Sequence, residues 1–268
     1  MHDFVFFKGE CLSAGGASIT APTAAALYGK GIFTTIAVYD RTPFLWEKHW
    51  RRLVANAGAI AIDLNGITES AVYDALDRTI KLNGLKRGKA RVTLFDESPS
   101  AHWPNAINEK TSLLIQTGDT RHLDERAITV SSHPIDSRSP LVNVKSCNYL
   151  EKILILDEAN ERGAQEAIRI NERGEVTSAV MANIFWLEGG KLFTPPLSTG
   201  CLDGTTREYV LENLDHEEVV CGTDQLREVD AIILTSGGLG IVQASKFDDR
   251  RFAPNHHPIF SLIPGSNV

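Results

Sequence analysis

The spacing of apolar positions predicts short strands interrupted by a few helices. FVFF at residues 4–7 and GIFTTIAVY at residues 31–39, the latter rich in β-branched side chains, predict two strands, with a turn at residues 40–43. Residues 46–60 place Trp46, Trp50, Leu53, Val54 and Ala57 along one helical stripe. Residues 68–82 predict a second helix, opened by Thr68 as N-cap and closed at Asn83-Gly84. Strands at 91–95 and 112–116 complete an α+β lobe, and the polar stretch 117–126 reads as a linker.

Beyond the linker, residues 127–132 are strand-like and residues 148–162 form a helix stopped by Gly163. Strands at 167–170 and 176–179 flank an NERG turn, and those at 182–187 and 192–194 form a hairpin around Gly189-Gly190. A helix at 205–214 follows Gly204, and strands at 218–220, 231–234 and 240–247 close the chain. Mostly antiparallel strands with few intervening helices argue for an α+β fold and against a doubly wound sheet.

With 268 residues, 43% of them hydrophobic and 23% charged, the chain can bury the core of one large domain or of two lobes. Lys plus Arg number 27 against 34 Asp plus Glu, a net charge of -7 that makes a poor footprint for nucleic acid or an anionic membrane. No segment approaches the ~18 uninterrupted apolar residues of a membrane span, so a cytoplasmic protein is expected. Cys11, Cys147, Cys201 and Cys221 are scattered, with no CxxC pair, which indicates reduced thiols and no metal site. GxGxxG after a strand, GxxxxGK[ST], HExxH and GxSxG are all missing. The Gly-rich run 237–240 reads as a tight turn, and His256-His257 as a solvated pair in a tail.

Three positions carry candidate chemistry. Lys145, in LVNVKSCNYLEK, lies between an apolar alternation and a helix; a lysine shielded by apolar walls loses its proton more easily, as Schiff-base chemistry requires. Gly204-Thr205-Thr206-Arg207 opens a helix, where N–H groups, the dipole and two hydroxyls together suit a phosphate. Arg52, in HWRRL, could supply an opposing guanidinium. Each has an ordinary reading as surface lysine, helix cap or solvated helix face, but the combination is less ordinary.

On these residues the chain resembles the class IV, fold type IV pyridoxal-phosphate enzymes, which include branched-chain aminotransferase, D-amino acid aminotransferase and 4-amino-4-deoxychorismate lyase. The similar segments are YGKGIFTTIAVYDRTPFLWEKHWRRL, KSCNYLEKILILDEANERGAQEAI and GEVTSAVMANIFWLEGGKLFTPPLSTGCLDGTTR. The resemblance implies the two-lobed D-amino acid aminotransferase-like fold, with a small lobe at 1–118 and a larger one at 119–268 carrying Lys145 and most of the phosphate site. It implies pyridoxal 5'-phosphate as cofactor, a small-molecule amino substrate and a homodimer. Lys145 would form the Schiff base. Arg52, Thr205 and Thr206 would bind the phosphate with Ser236 and Gly237, and Asn183 would lie beside the ring. Phe33 and His102 are candidate substrate contacts.

Two departures bear on the reaction. Where the family usually has Val-Thr-Glu, its glutamate facing the pyridine nitrogen, this chain has Val176-Thr177-Ser178. Glu175 cannot stand in, because three residues along a strand reverse the side-chain face. A carboxylate keeps that nitrogen protonated and the ring a strong electron sink, whereas a hydroxyl can donate to an unprotonated nitrogen. Transamination should suffer more than an elimination driven by aromatisation of its product. Secondly, Ser100-Ala101-His102 stands where D-amino acid aminotransferases resemble Arg-Ala-His, which removes the usual carboxylate trap. GKGIFTT and ANIFW also resemble the lyase more than branched-chain aminotransferase. The expected activity is conversion of 4-amino-4-deoxychorismate to p-aminobenzoate and pyruvate. The alternatives are an aminotransferase and a catalytically impaired cofactor-binding protein.

Overall fold

Two units make up the computed structural model, which describes residues 1–100, 110–120 and 126–264: one of residues 1–121 with 144–148, the other of residues 122–143 with 149–268. The first contains β1 (Phe4–Phe7), β2 (Glu10–Ser13), α1 (Ala24–Tyr28), β3 (Gly31–Tyr39), β4 (Thr42–Pro43), α2 (Trp46–Ala59), α3 (Glu69–Leu82), β5 (Gly88–Asp96) and β6 (Thr111–Gly118). Its six strands form one antiparallel sheet in the order β2-β1-β6-β5-β3-β4. The two-residue period of β3 sends Ile32, Ile36 and Val38 to one face, where they share a core with Val92 and Leu94 of β5, Ile115 of β6 and the buried faces of α2 and α3.

On α2 the stripe differs from expectation at one position. Trp46, Leu53 and Ala57 are buried, but Val54 is 42% exposed, while His49 and Asn56 are buried. At 100° per residue, His49 and Asn56 fall beside the line through 46, 53 and 57, and Val54 falls well to its other side. α3 opens as expected, the Thr68 hydroxyl accepting from the Ala71 N–H at 3.3 Å.

Residues 144–148 belong to this first unit, which corrects the expected placement of Lys145 in the second lobe. β4 pairs only with Val38 and Tyr39, so the opposite end of that edge of β3 remains available. The segment from Lys145 to Cys147 fills it: the Phe33 N–H donates to the Lys145 carbonyl at 3.0 Å, and the Cys147 N–H to the Gly31 carbonyl at 2.8 Å. Strand-edge pairing over a large sequence separation, not chain order, decides where the lysine sits. Of the expected linker, Thr117 and Gly118 are part of β6, and residues 121–125 lie outside the described residues.

The second unit contains β7 (Ala127–Val130), α4 (Leu150–Glu161), β8 (Glu166–Ile170), β9 (Val176–Ala179), β10 (Asn183–Glu188), β11 (Lys191–Thr194), α5 (Thr205–Asn213), β12 (Glu217–Glu218), α6 (Thr223–Leu226), β13 (Ala231–Ser236), β14 (Gly240–Gln243), β15 (Lys246–Phe247) and β16 (Arg250–Arg251). They build two five-stranded sheets, β12-β11-β10-β13-β14 and β16-β15-β7-β8-β9. Ile128, Ile168 and Val176 of one sheet share a core with Ile184, Trp186, Ile232 and Leu234 of the other. The alternate residues Ala127 and Ala167 face the opposite way and pack with Ile155 and Ala159 of α4. Three pairings are parallel, β7 with β8, β15 with β7 and β11 with β12, against the antiparallel expectation. The first follows from α4, which makes the crossover that a parallel pair needs. The run at 240–247, expected as one strand, splits into β14 and β15 in different sheets.

No helix among the described residues is long and apolar enough to cross a membrane, and all four cysteines are free.

Gly31 is the residue on which the seating of Lys145 depends. A Cβ there would stand 2.9 Å from the Phe95 Cβ, 3.0 Å from the Cys147 sulfur and 3.1 Å from the Leu94 carbonyl oxygen. Gly31→Ala is expected to lower stability by ~1–3 kcal/mol through overpacking, read as a lower urea midpoint at unchanged slope. An unchanged midpoint would show that the segment can move off β3 without cost.

Candidate functional site

In the first unit, β3, α2 and the segment from Lys145 to Cys147 bring five polar side chains together. Thr34 interrupts the apolar face of β3, and its hydroxyl accepts from Arg52 Nη2 at 2.8 Å and lies 2.6 Å from His49 Nδ1. Burial, reinforced by the positive charges of Arg52 and Lys145, holds His49 well below its ordinary value, so the ring is neutral. The Thr34 hydroxyl can therefore donate to Nδ1 while accepting from the guanidinium. Asn56 accepts the Lys145 N–H at 2.8 Å. Lys145 Nζ lies 4.7 Å from the centre of the Phe33 ring, against which the Arg91 guanidinium is also packed, at 3.6 Å. Burial pushes the Cys147 thiol up, with Arg91 opposing, which fits a packed side chain.

In the second unit, β10, β13 and α5 assemble the other expected residues. α5 takes Gly204 as N-cap with no side-chain cap on its first turn, and Thr205, Thr206 and Arg207 are buried. Asn183 Nδ2 donates to the Leu202 carbonyl at 2.7 Å, and a Cβ at Gly204 would overlap the Asn183 amide oxygen. Asn183 thereby holds the chain entering α5. Arg207 donates to the Pro195 carbonyl at 3.0 Å and to Glu218 at 2.8 Å, so it fastens α5 to its own unit. Asn183 and Thr235 are cross-strand partners, and the Thr235 hydroxyl is buried without a hydrogen-bond partner among the described residues. The Ser236 hydroxyl accepts the Leu239 N–H at 3.2 Å in a turn ended by Gly240 at φ +80°. The glycines at 237 and 238 thus serve the β13–β14 hairpin.

Ser178 sits in β9 directly opposite Arg169 of β8. Glu175 lies in the preceding turn, where Arg173 Nη2 donates to it at 2.6 Å and Asn171 Nδ2 at 2.7 Å. Those two donors hold its carboxyl below the usual range. Glu166, at the start of β8, accepts the N–H groups of Ala167, Val180 and Met181 at 3.1, 2.9 and 3.1 Å and so clasps the turn that follows β9. Burial nevertheless pushes its carboxyl up to about 7. His102 lies outside the described residues.

The family described as amino-transferase class IV matches residues 31–247, most of the chain. The chain belongs to that family. A Methanocaldococcus jannaschii protein carrying a provisional name of branched-chain-amino-acid aminotransferase is 28% identical over 257 residues, covering 92% of this chain and 88% of its own. The aminodeoxychorismate lyase of Bacillus subtilis is 27% identical over 241 residues, 83% of this chain and 79% of its own. Among solved structures, the branched-chain aminotransferase of Thermoproteus uzoniensis, determined with norvaline, superposes with a TM-score of 0.89 at 25% identity over 98% of this chain and 92% of that one. Class IV aminotransferases use pyridoxal 5'-phosphate, and that is the cofactor of this chain. Lyase and aminotransferase stand side by side among its relatives.

Thr34, His49, Asn56, Arg91 and Arg169 were not among the expected site residues. The only sequence signal for His49 and Asn56 was a polar residue beside an apolar helical stripe, which reads equally well as surface.

A neutral buried His49 has a consequence for acid stability. Its folded value lies below the ordinary 6.5. Below about pH 6.5 the unfolded chain therefore takes up a proton that the folded one resists, and stability falls as the pH drops. His49→Gln is expected to flatten the decline of Tm between about pH 6.5 and 4.5, measured by calorimetry across that range. A parallel decline in both proteins would assign the acid sensitivity to other groups.

Proposed function

We propose that this chain is a pyridoxal-phosphate lyase that converts 4-amino-4-deoxychorismate into p-aminobenzoate and pyruvate. Ser178 carries the reading. It occupies the position at which the family resemblance calls for a glutamate, and the neighbouring Glu175 is held in its turn by Arg173 and Asn171. The bound cofactor supplies an electron sink for the electron pair left when a proton is removed near the substrate nitrogen. With a hydroxyl at the ring nitrogen that sink is weaker, which favours a reaction whose product gains aromatic stabilisation.

Two features fit a phosphorylated ring. The first turn of α5 takes no side-chain cap, and Asn183 fixes the chain that enters it by donating to the Leu202 carbonyl. In the second, the buried Thr235 hydroxyl lacks a partner beside Asn183. In this reading Thr205 and Thr206 seat the phosphate with Ser236 and Gly237, and Arg52, oriented by Thr34, balances its charge. Lys145 would hold the cofactor, and its amine would move the proton between substrate atoms. Its position is set by Phe33 and Asn56 through the backbone. Phe33 and His102 are assigned to the substrate. The reading includes a cytosolic homodimer: Leu150, Ile153 and Leu154 stand exposed on α4, apolar surface that a second copy of the chain would cover.

The second reading is an aminotransferase, favoured by the relatives of that name. The two separate in one assay. Cofactor-loaded protein given 4-amino-4-deoxychorismate should release p-aminobenzoate and pyruvate in equal amounts, and Lys145→Ala should abolish release. No release, together with conversion of the cofactor to its amine form by branched-chain or D-amino acids, would establish the aminotransferase instead.

A further inference from the structure

The group behind Ser178 is an arginine. In the antiparallel pairing of β8 with β9, Arg169 is the direct partner of Ser178, so the two side chains rise from one face of the sheet with Cβ atoms about 5 Å apart. It is the face covered by α4, since Ala167 and Val180, two residues before Arg169 and two after Ser178, pack with Ile155 and Ala159. Arg169 is only 7% exposed. Its Nη2 donates to Glu151 at 2.6 Å, and its carbonyl accepts from the Thr177 hydroxyl at 3.1 Å. Its Nε is buried and has no acceptor among the described residues.

A buried N–H of a charged group left without an acceptor is costly, and the cost falls when an acceptor arrives. Which acceptor fits follows from charge. Glu151 already balances the guanidinium, so a neutral oxygen or nitrogen suffices, and the Ser178 hydroxyl rises from the facing position. Arginine keeps its proton in proteins and can only donate. A serine hydroxyl that accepts from it has its own hydrogen left to give. The acceptor of that hydrogen must carry a lone pair, which a protonated pyridine nitrogen lacks.

Resting on the cofactor reading above, we infer that Arg169 and Ser178 act as a relay when the cofactor is bound: the Ser178 hydroxyl turns to accept from Arg169 Nε, a bond the structure itself does not contain, and donates its own hydrogen to the ring nitrogen, which stays unprotonated. Arg169 is a positioning residue, acting through Ser178. The relay makes the serine more than a lost glutamate, because a carboxylate placed at 178 would face a guanidinium in register and be drawn to it. Restoring the carboxylate alone should therefore fail to restore the electron sink.

The test is the ring-nitrogen resonance of pyridoxal phosphate labelled with 15N and bound to the full-length protein. The unmodified protein should show the unprotonated position. Ser178→Glu should leave it largely there, and Ser178→Glu combined with Arg169→Leu should move it to the protonated position and raise the rate of the amino-donor half-reaction. Arg169→Gln, close in length and able to bond Glu151, replaces Arg169→Leu if that variant does not fold. A protonated nitrogen in the unmodified protein, or a full shift with Ser178→Glu alone, would overturn the relay while leaving the cofactor reading intact. Failure of the unmodified protein to bind pyridoxal phosphate would overturn both.

Discussion

The pairing of residues 145–147 with the end of β3 is the interaction on which the candidate chemistry rests. A lysine on an irregular segment has no secondary structure of its own to hold it, and a long flexible side chain adds to the freedom that must be removed. Here the backbone is fastened from two sides, by the strand edge through Phe33 and Gly31 and by the Asn56 side chain of α2. The edge is available because β4 is only two residues long. The close approach is possible because residue 31 has no side chain to meet Phe95 and Cys147.

The same strand explains the polar cluster beside the lysine. Alternation puts residue 34 on the face otherwise occupied by Ile32, Ile36 and Val38, and a threonine there would leave a buried hydroxyl unpaired without Arg52 and His49. A charged histidine would add a third cation to Arg52 and Lys145, so burial and repulsion together keep the ring neutral. The positive charge that remains belongs to Arg52 and Lys145, and in a chain of net charge -7 it is local.

Elements whose pattern is local were legible in the sequence. β3 and β9 have the bounds that β-branched runs and turn residues indicate, and α3 opens at its threonine cap. α1, five residues between the Thr23 cap and Gly29 at φ +63°, is too short to show a period, and the four residues of β2 bury none of their side chains. What could not be read was pairing across distance. The stretch at 240–247 reads as one continuous strand, yet β14 joins β13 while β15 joins β7. Lys145 was legible as a chemical group, but its attachment to β3 depends on an edge that only the assembled sheet defines. The start of α5 at Thr205 was legible from the glycine before it. His49, Asn56 and Arg169 were not, because their roles depend on burial, and polar residues on a helix or strand read as solvent-facing until packing shows otherwise.

Arg169 gives that point its chemical weight. Read alone, Ser178 is a short polar side chain where the family resemblance calls for a carboxylate, and the natural conclusion is a weakened site. Across the ladder, however, stands a guanidinium whose charge is already met by Glu151 and whose Nε has no acceptor. A buried cation placed opposite a carboxylate would form an ion pair, and the carboxylate would then be a poor base toward a third group. A buried cation opposite a hydroxyl polarises it as a donor instead. In the proposed relay the two residues act as a pair, and the pair would favour a neutral acceptor over a protonated one. In the proposed reading such a pair goes with a reaction that draws its driving force from the product rather than from the ring, which is the character of an aromatising elimination.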